Sequence, residues 1–253
     1  MKPNSFWHHL AGQKLETYIP KPGRGKNLLN FAALENAFGC SPAVTNSLQQ
    51  LTHEPLNSYP RSEMENLKAK IATWLKIRPE MILLGNGSDE LINLIPQVFL
   101  EPGENVVVQT PTFFRILESV HRMKGNIIKV NTASENGFAL GKNFIKELLG
   151  AIKIARPKIV WLCSPNNPTG VVMDFELIDK IAGETDALVV VDEAYQEFFD
   201  PENKKSAVRL LDKHKNILVT KSFSKAFGLA GIRVGFAVGT PEIIGALAKW
   251  QLN

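Results

Sequence analysis

Residues Ala187–Phe198 read ALVVVDEAYQEF, and this stretch decides the fold. Four successive apolar residues, Leu188 to Val191, leave no polar face, so a strand here is buried on both sides. Asp192 then ends the apolar run. A carboxylate in that position is costly unless a cation or hydrogen-bond donors meet it. Six other segments share the pattern: MILLG from Met81, NVVVQT from Asn105, NIIKVNT from Asn126, KIVWLCS from Lys158, NILVTKSF from Asn216 and RVGFAVG from Arg233. Amphipathic stretches separate most of them, and helices are expected at 88–99, 112–124, 142–154 and 174–184. Ahead of the first strand, Met64, Leu67, Ile71 and Leu75 fall at helical spacing, with Pro60 where a first turn tolerates it. Buried strands alternating with helices define an α/β class: a mainly parallel, mixed central sheet flanked by helices. Residues 1–56, which include the basic stretch IPKPGRGKN, read as an irregular N-terminal arm, and 57–253 as one large domain.

In open α/β sheets, ligands sit beyond the carboxyl ends of the strands. The unusual residues of this chain lie at those ends. LLGNGSDELI carries Gly85, Asn86 and Gly87 between a strand and a helix, and the N–H groups of Ser88 and Asp89 at the helix start suit a phosphate. The same residues also read as an ordinary turn with Ser88 or Asp89 as helix cap. A dinucleotide fingerprint needs a glycine where Glu90 stands and an acid where Thr110 stands, which disfavours NAD. No GxxxxGK(S/T) and no GxSxG occurs, which removes the P-loop and the hydrolase elbow.

WLCSPNNPTG places Asn166 and Asn167 at another strand end, and TKSFSKAFGLAGIRVGF (Thr220–Phe236) holds Lys225 in a glycine-containing loop before Arg233. An amine in a closed site has a lowered pKa and can condense with an aldehyde. Together these residues supply a phosphate nest, a buried acid for a ring nitrogen, an amide and a phenol (Tyr195) for a ring oxygen, and an amine for an aldehyde. Pyridoxal 5′-phosphate has all of those groups.

On these motifs, from LENAFGCSP onward, the chain resembles the fold-type I pyridoxal-phosphate-dependent aminotransferases of class I and II, and among them the histidinol-phosphate aminotransferases. The resemblance implies that Lys225 is the Schiff-base lysine and catalytic proton carrier. By the same resemblance, Asp192 pairs with the pyridine nitrogen, Asn167 and Tyr195 bond the ring oxygen, and Phe113 stacks on the ring. Ser222 and Arg233, with the N–H groups of Ser88 and Asp89, hold the phosphate, and Tyr59 reaches the phosphate of a neighbouring subunit in a homodimer. Two departures stand out. The family usually has tyrosine at Phe113, so a hydroxyl is lost, and it continues beyond Asn253 into a domain of roughly 100 residues that carries a substrate-binding arginine. The implied activity is amino transfer between histidinol phosphate, or a related amino acid, and 2-oxoglutarate in histidine biosynthesis. A threonine-phosphate decarboxylase-like lyase and a non-catalytic cofactor-binding homologue are the alternatives.

Composition agrees with such a protein. The 253 residues are 44% hydrophobic and 21% charged, with a net charge of +4. Basic residues are interspersed with acidic ones, which argues against nucleic acid. Two distant cysteines, no zinc-ligand spacing, no apolar core of a signal peptide and no run of roughly 18 apolar residues imply a cytoplasmic protein with free thiols, away from membranes.

Overall fold

The computed structural model describes residues 33–50 and 62–251. Tyr59, Pro60 and most of the expected N-terminal arm lie outside the described residues. Seven strands form one sheet: β1 (Ile82–Asn86), β2 (Asn105–Thr110), β3 (Asn126–Asn131), β4 (Ile159–Cys163), β5 (Leu188–Asp192), β6 (Ile217–Ser222) and β7 (Val234–Gly239). Their order is β1-β7-β6-β5-β4-β2-β3. β7 runs antiparallel to both of its neighbours, and the other pairs are parallel, so the sheet is mixed and mainly parallel.

Each expected strand forms within two residues of its apolar run, because an unbroken β-branched run can be buried on both faces only inside a layered fold. The helices cover those faces. Ser62–Leu75, Lys142–Ala155 and Phe175–Gly183 pack on the face that receives Val189, Val191, Ile217 and Val219. Gly87–Phe99, Phe114–Arg122 and Pro241–Trp250 pack on the face that receives Val190, Leu218 and Trp161. In the helix Ser62–Leu75, Ile71 and Leu75 are buried and Leu67 is partly so, whereas Met64 in the first turn is exposed. Among the described residues no helix is long and apolar enough to cross a membrane.

One expectation fails. Residues 1–56 read as irregular, yet Pro42–Gln50 is a helix. Ser41 starts it, accepting at its side chain from Ala43 N (3.3 Å) and at its carbonyl from Val44 N (2.9 Å), with Pro42 at the first helical position where proline is tolerated. The helix buries none of its residues, so it carries no apolar periodicity to read.

Alternation along β5 and β6 separates two functions. Val190 and Asp192, like Leu218, Thr220 and Ser222, face one way; Glu193 and Lys221 face the other. Lys221, fully buried, bonds Glu193 Oε2 at 3.0 Å, Glu197 Oε1 at 2.8 Å and Asn203 Oδ1 at 2.8 Å. Ser206 Oγ and Ala207 N each donate to Glu193 at 2.6 Å. Burial alone would discharge Lys221, but the two carboxylates outweigh it and hold its pKa above the ordinary lysine value.

Removing one member of such a group leaves the others buried and uncompensated. Lys221→Met should cost about 3–5 kcal/mol of stability, read from urea denaturation at neutral pH. A loss below about 1 kcal/mol would show that the network is solvated or dispensable.

Candidate active site

The carboxyl ends of β4, β5 and β6 and the amino end of the helix Gly87–Phe99 surround a cavity of about 400 Å³. Ser88, Asp89, Phe113, Asn167, Asp192, Tyr195, Ser222, Lys225 and Arg233 all line it. Apart from Tyr59, the residues that the resemblance assigns to the site thus line one cavity, whereas Asn166 does not.

Asp192 closes β5 and is buried, 3% exposed. Its Oδ1 accepts from Ala194 N at 3.1 Å. Burial raises its pKa to about 6, against the pull of the Ala194 N–H and the Thr220 hydroxyl, and the charges of Asp89 and Glu193 add to the rise. Among the described residues no ion pair reaches it. A buried carboxylate that opens on a cavity and is paired with none of the cations lining it fits a ligand that brings its own.

Cys163, its register partner on β4, also lines the cavity. Burial, and then the charge on Asp192, push that thiol far above its ordinary value, so it is neutral. From the sequence alone Cys163 shows only as one of two distant free thiols. Its place two residues beyond Trp161 on a strand that alternates faces was the available signal.

Asn167 Nδ2 donates to Tyr195 Oη at 3.3 Å, so the amide and the phenol form one polar edge. The loop that supplies Asn167 is pinned from behind: Asn166 Nδ2 donates to Pro111 O and to Thr169 Oγ1, each at 2.9 Å.

Opposite lies the anion-suited corner. The helix begins at Gly87, with Asn86 as its cap and no side-chain cap bond, so neither Ser88 nor Asp89 caps it. Both fall in the first turn, where N–H groups lack intrahelical partners. Gly87 has φ of +70°, a conformation that strains other residues, and the tip of the Arg233 side chain lies where a Cβ would project. Gly87 N donates to Arg233 O at 3.0 Å, and Arg233 Nη2 lies 3.4 Å from Asp89 Oδ2, an exposed pair. Ser222 Oγ accepts from Ser224 N at 3.0 Å.

Lys225 follows β6. Its Nζ donates to Ala33 O at 2.8 Å and lies 5.7 Å from the Tyr195 ring centroid. Burial lowers its pKa, which Asp89 and Glu35 oppose and Arg233 reinforces. The loop is anchored by phenylalanines on both sides of the lysine. Phe223 and Phe227 stack edgewise at 4.9 Å, and Trp74 meets Phe227 at 5.7 Å. Asn36 Nδ2 donates to Ala226 O at 3.0 Å, fixing the segment around Ala33 over the loop.

These features fit pyridoxal 5′-phosphate in this chain: an unpaired buried acid, a nearby amine of lowered pKa, and a guanidinium beside a glycine cradle at a helix start. The mixed sheet and this set of residues at its carboxyl edge define the large domain of the pyridoxal-phosphate-dependent transferase fold. Residues 26–253 match the family described as aminotransferase class I and II, and the chain belongs to that family.

The chain is 34% identical over 246 residues to histidinol-phosphate aminotransferase 1 of Bacillus thuringiensis subsp. konkukian, covering 96% of this chain and 64% of the relative. It is 39% identical over 220 residues to histidinol-phosphate aminotransferase 2 of Bacillus cereus, covering 85% of this chain and 57% of the relative. A histidinol-phosphate aminotransferase from Sinorhizobium meliloti, solved in complex with pyridoxal-5′-phosphate, superposes with a TM-score of 0.77 at 28% identity. That match covers 87% of this chain and 58% of the solved one. The chain therefore spans about three-fifths of the length of the proteins it matches.

The raised pKa of Asp192 has a sign that can be checked. Its folded value of about 6 exceeds the unfolded value of 3.8, so the folded state binds the proton more tightly. The resulting penalty is complete above about pH 6 and disappears as pH falls below the unfolded value. Asp192→Asn should therefore stabilise the cofactor-free protein at pH 7 by on the order of 2–3 kcal/mol. That gain should vanish near pH 4, as read from urea midpoints at both pH values. An equal change at both would mean that Asp192 is ordinarily acidic.

Proposed function

We propose that this chain binds pyridoxal 5′-phosphate and carries the chemical centre of an aminotransferase. The observation that carries the reading is the convergence of Asp192, Lys225 and the Arg233–Gly87 corner on one cavity of about 400 Å³. Family membership and the match to a structure solved with that cofactor support it. When bound, the cofactor supplies an electron-withdrawing ring and an aldehyde that carries the amino group between two half-reactions.

The protein's part follows from its own groups. Asp192 holds a proton on the ring nitrogen, and a cation beside it returns its own pKa toward the ordinary range, because opposite charge favours the ionised form. Fixed charge of this kind, placed in a buried site, is worth roughly 3–4 kcal/mol in a barrier. Asn167 and Tyr195 present an amide and a phenol to the ring oxygen. Ser222, Arg233 and the N–H groups of Ser88 and Asp89 hold the phosphate, and Arg233 exchanges its exposed contact with Asp89 for it. Phe113 supplies an apolar wall that excludes water. Burial lowers the pKa of Lys225, so its amine is the group that would hold the aldehyde carbon and would carry a proton at the substrate α-carbon.

For the whole protein, the reading is amino transfer between histidinol phosphate, or a related amino acid, and 2-oxoglutarate, within histidine biosynthesis. The protein would be a cytoplasmic homodimer in which Tyr59 reaches the neighbouring subunit's phosphate. The names and identities of the relatives support the histidinol-phosphate part of this reading.

Incubation with the cofactor, followed by borohydride reduction and peptide mapping, should place a pyridoxyl group on Lys225. Lys225→Ala should abolish the adduct without loss of fold. A folded protein with no adduct, or one labelled elsewhere, would sink the reading. Release of carbon dioxide from an amino acid without any oxo acid would move it to a lyase.

A further inference from the structure

The wall behind Asp192 contains a polar side chain that none of these roles uses. Thr220 is the register partner of Asp192 on the parallel pair β5–β6, so the two side chains leave the sheet on the same face. Thr220 is fully buried, at 0% exposure. Its Oγ1 has no hydrogen-bond partner by distance and angle among the described residues, although it lies near enough to Asp192 to lower the pKa of that carboxylate. Buried hydroxyls almost always have a partner, so an unpaired one in a wall next to a carboxylate needs a reason.

Its surroundings narrow the reason. On β7 the neighbour across from Thr220 is Ala237, and Leu218 precedes it on the same face, so neither offers a side-chain acceptor. Asp192 is therefore flanked in its row by Thr220 on one side and Cys163 on the other. The thiol is the weaker donor and points to Pro165 O at 3.6 Å. One oxygen of Asp192 already takes the Ala194 N–H. Among the described residues, the hydroxyl is the other side-chain donor in the row that flanks the carboxylate.

We propose that Thr220 is the positioning residue of Asp192, its hydroxyl donating to the carboxylate so that the group stays ionised and aimed into the cavity. Thr220 acts through Asp192 and not on a ligand. The contact needs only this chain, whereas its effect on cofactor binding rests on the function proposed above. The hydroxyl and the Ala194 N–H pull the Asp192 pKa down, while burial, Asp89 from the helix Gly87–Phe99 and the adjacent Glu193 push it up. Cys163 faces it from β4 as a neutral thiol, and Lys225 and Arg233 line the same cavity.

The test is a carbon-13 NMR titration of aspartate carboxyls in the cofactor-free protein, for wild type, Thr220→Val and Thr220→Ser, with Asp192→Asn used to assign the signal. Valine keeps the shape and removes the donor. The Asp192 midpoint should rise by about one pKa unit in Thr220→Val, equivalent to about a tenfold loss of preference for the ionised form, and Thr220→Ser should restore most of it. Cofactor binding should weaken by about tenfold in the valine variant and recover with serine. An unmoved midpoint in Thr220→Val overturns the proposal, whatever the cofactor does. A shifted midpoint in a protein that binds no pyridoxal 5′-phosphate upholds the contact and overturns the functional reading instead. Should the valine variant not fold, Thr220→Ala is read in the same way.

Discussion

Glu193 and Lys221 meet at 3.0 Å on the face of the sheet turned away from the cavity, and the geometry of the site depends on that contact. Side chains alternate along a strand, so a pair locked on one face sets which residues appear on the other. With Glu193 and Lys221 facing back, Asp192 and Ser222 must face forward. The same lysine bonds Glu197, two residues beyond Tyr195, which ties the helix Gln196–Phe199 into the arrangement. A buried ion group of this kind contributes little net stability compared with apolar packing. What it supplies is register: sliding β6 by one residue would bury Ser222 in the helix layer and turn Lys221 into the cavity.

The second constraint is how a lysine is kept half-buried without being paired to an acid. Lys225 sits between Phe223 and Phe227, whose rings join Trp74 and Phe236 in one aromatic group on the opposite side of the sheet. Gly228 lets the loop turn, at φ of +69°, where a Cβ would strike the backbone of Gly39. The loop is thus clamped by side chains below and by the segment around Ala33 and Asn36 above. The ammonium has a backbone carbonyl as its hydrogen-bond acceptor, so burial prevails and its pKa falls.

Fold and site were legible in the sequence to different depths. All seven strands could be read because runs such as VVV at 189–191 and 106–108 are possible only in a doubly covered sheet. Asp192, Lys225, Asn167 and Arg233 could be read because each breaks an apolar or glycine-rich context at a strand end. The helix Pro42–Gln50 could not, because a helix that buries nothing has no apolar stripe. Cys163 and Thr220 were hidden for the opposite reason: a thiol and a methyl-bearing hydroxyl blend into apolar strands, and only register places them beside the carboxylate. Lys221, four residues before Lys225 and far more buried, reads only as part of the strand segment NILVTKSF, because its acidic partners lie distant in the sequence.

Asp192 and Lys225 are displaced in opposite directions by the same cause. Burial makes the acid weaker and the ammonium more acidic, so each group in the cavity is biased toward neutrality. At neutral pH both shifts work against the folded state. Both become favourable once a ligand brings a cation to the acid and an electrophile to the amine. Ligand at a thousandfold excess over its Kd stabilises the folded state by roughly 4 kcal/mol, enough to offset a penalty of about 2–3 kcal/mol at Asp192. The seven-stranded core can hold such a site because the strain lies at the strand ends, while Val189, Val190 and Val191 behind it are completely buried and carry none. A scaffold in which the costly groups also served as the core could not separate the two demands.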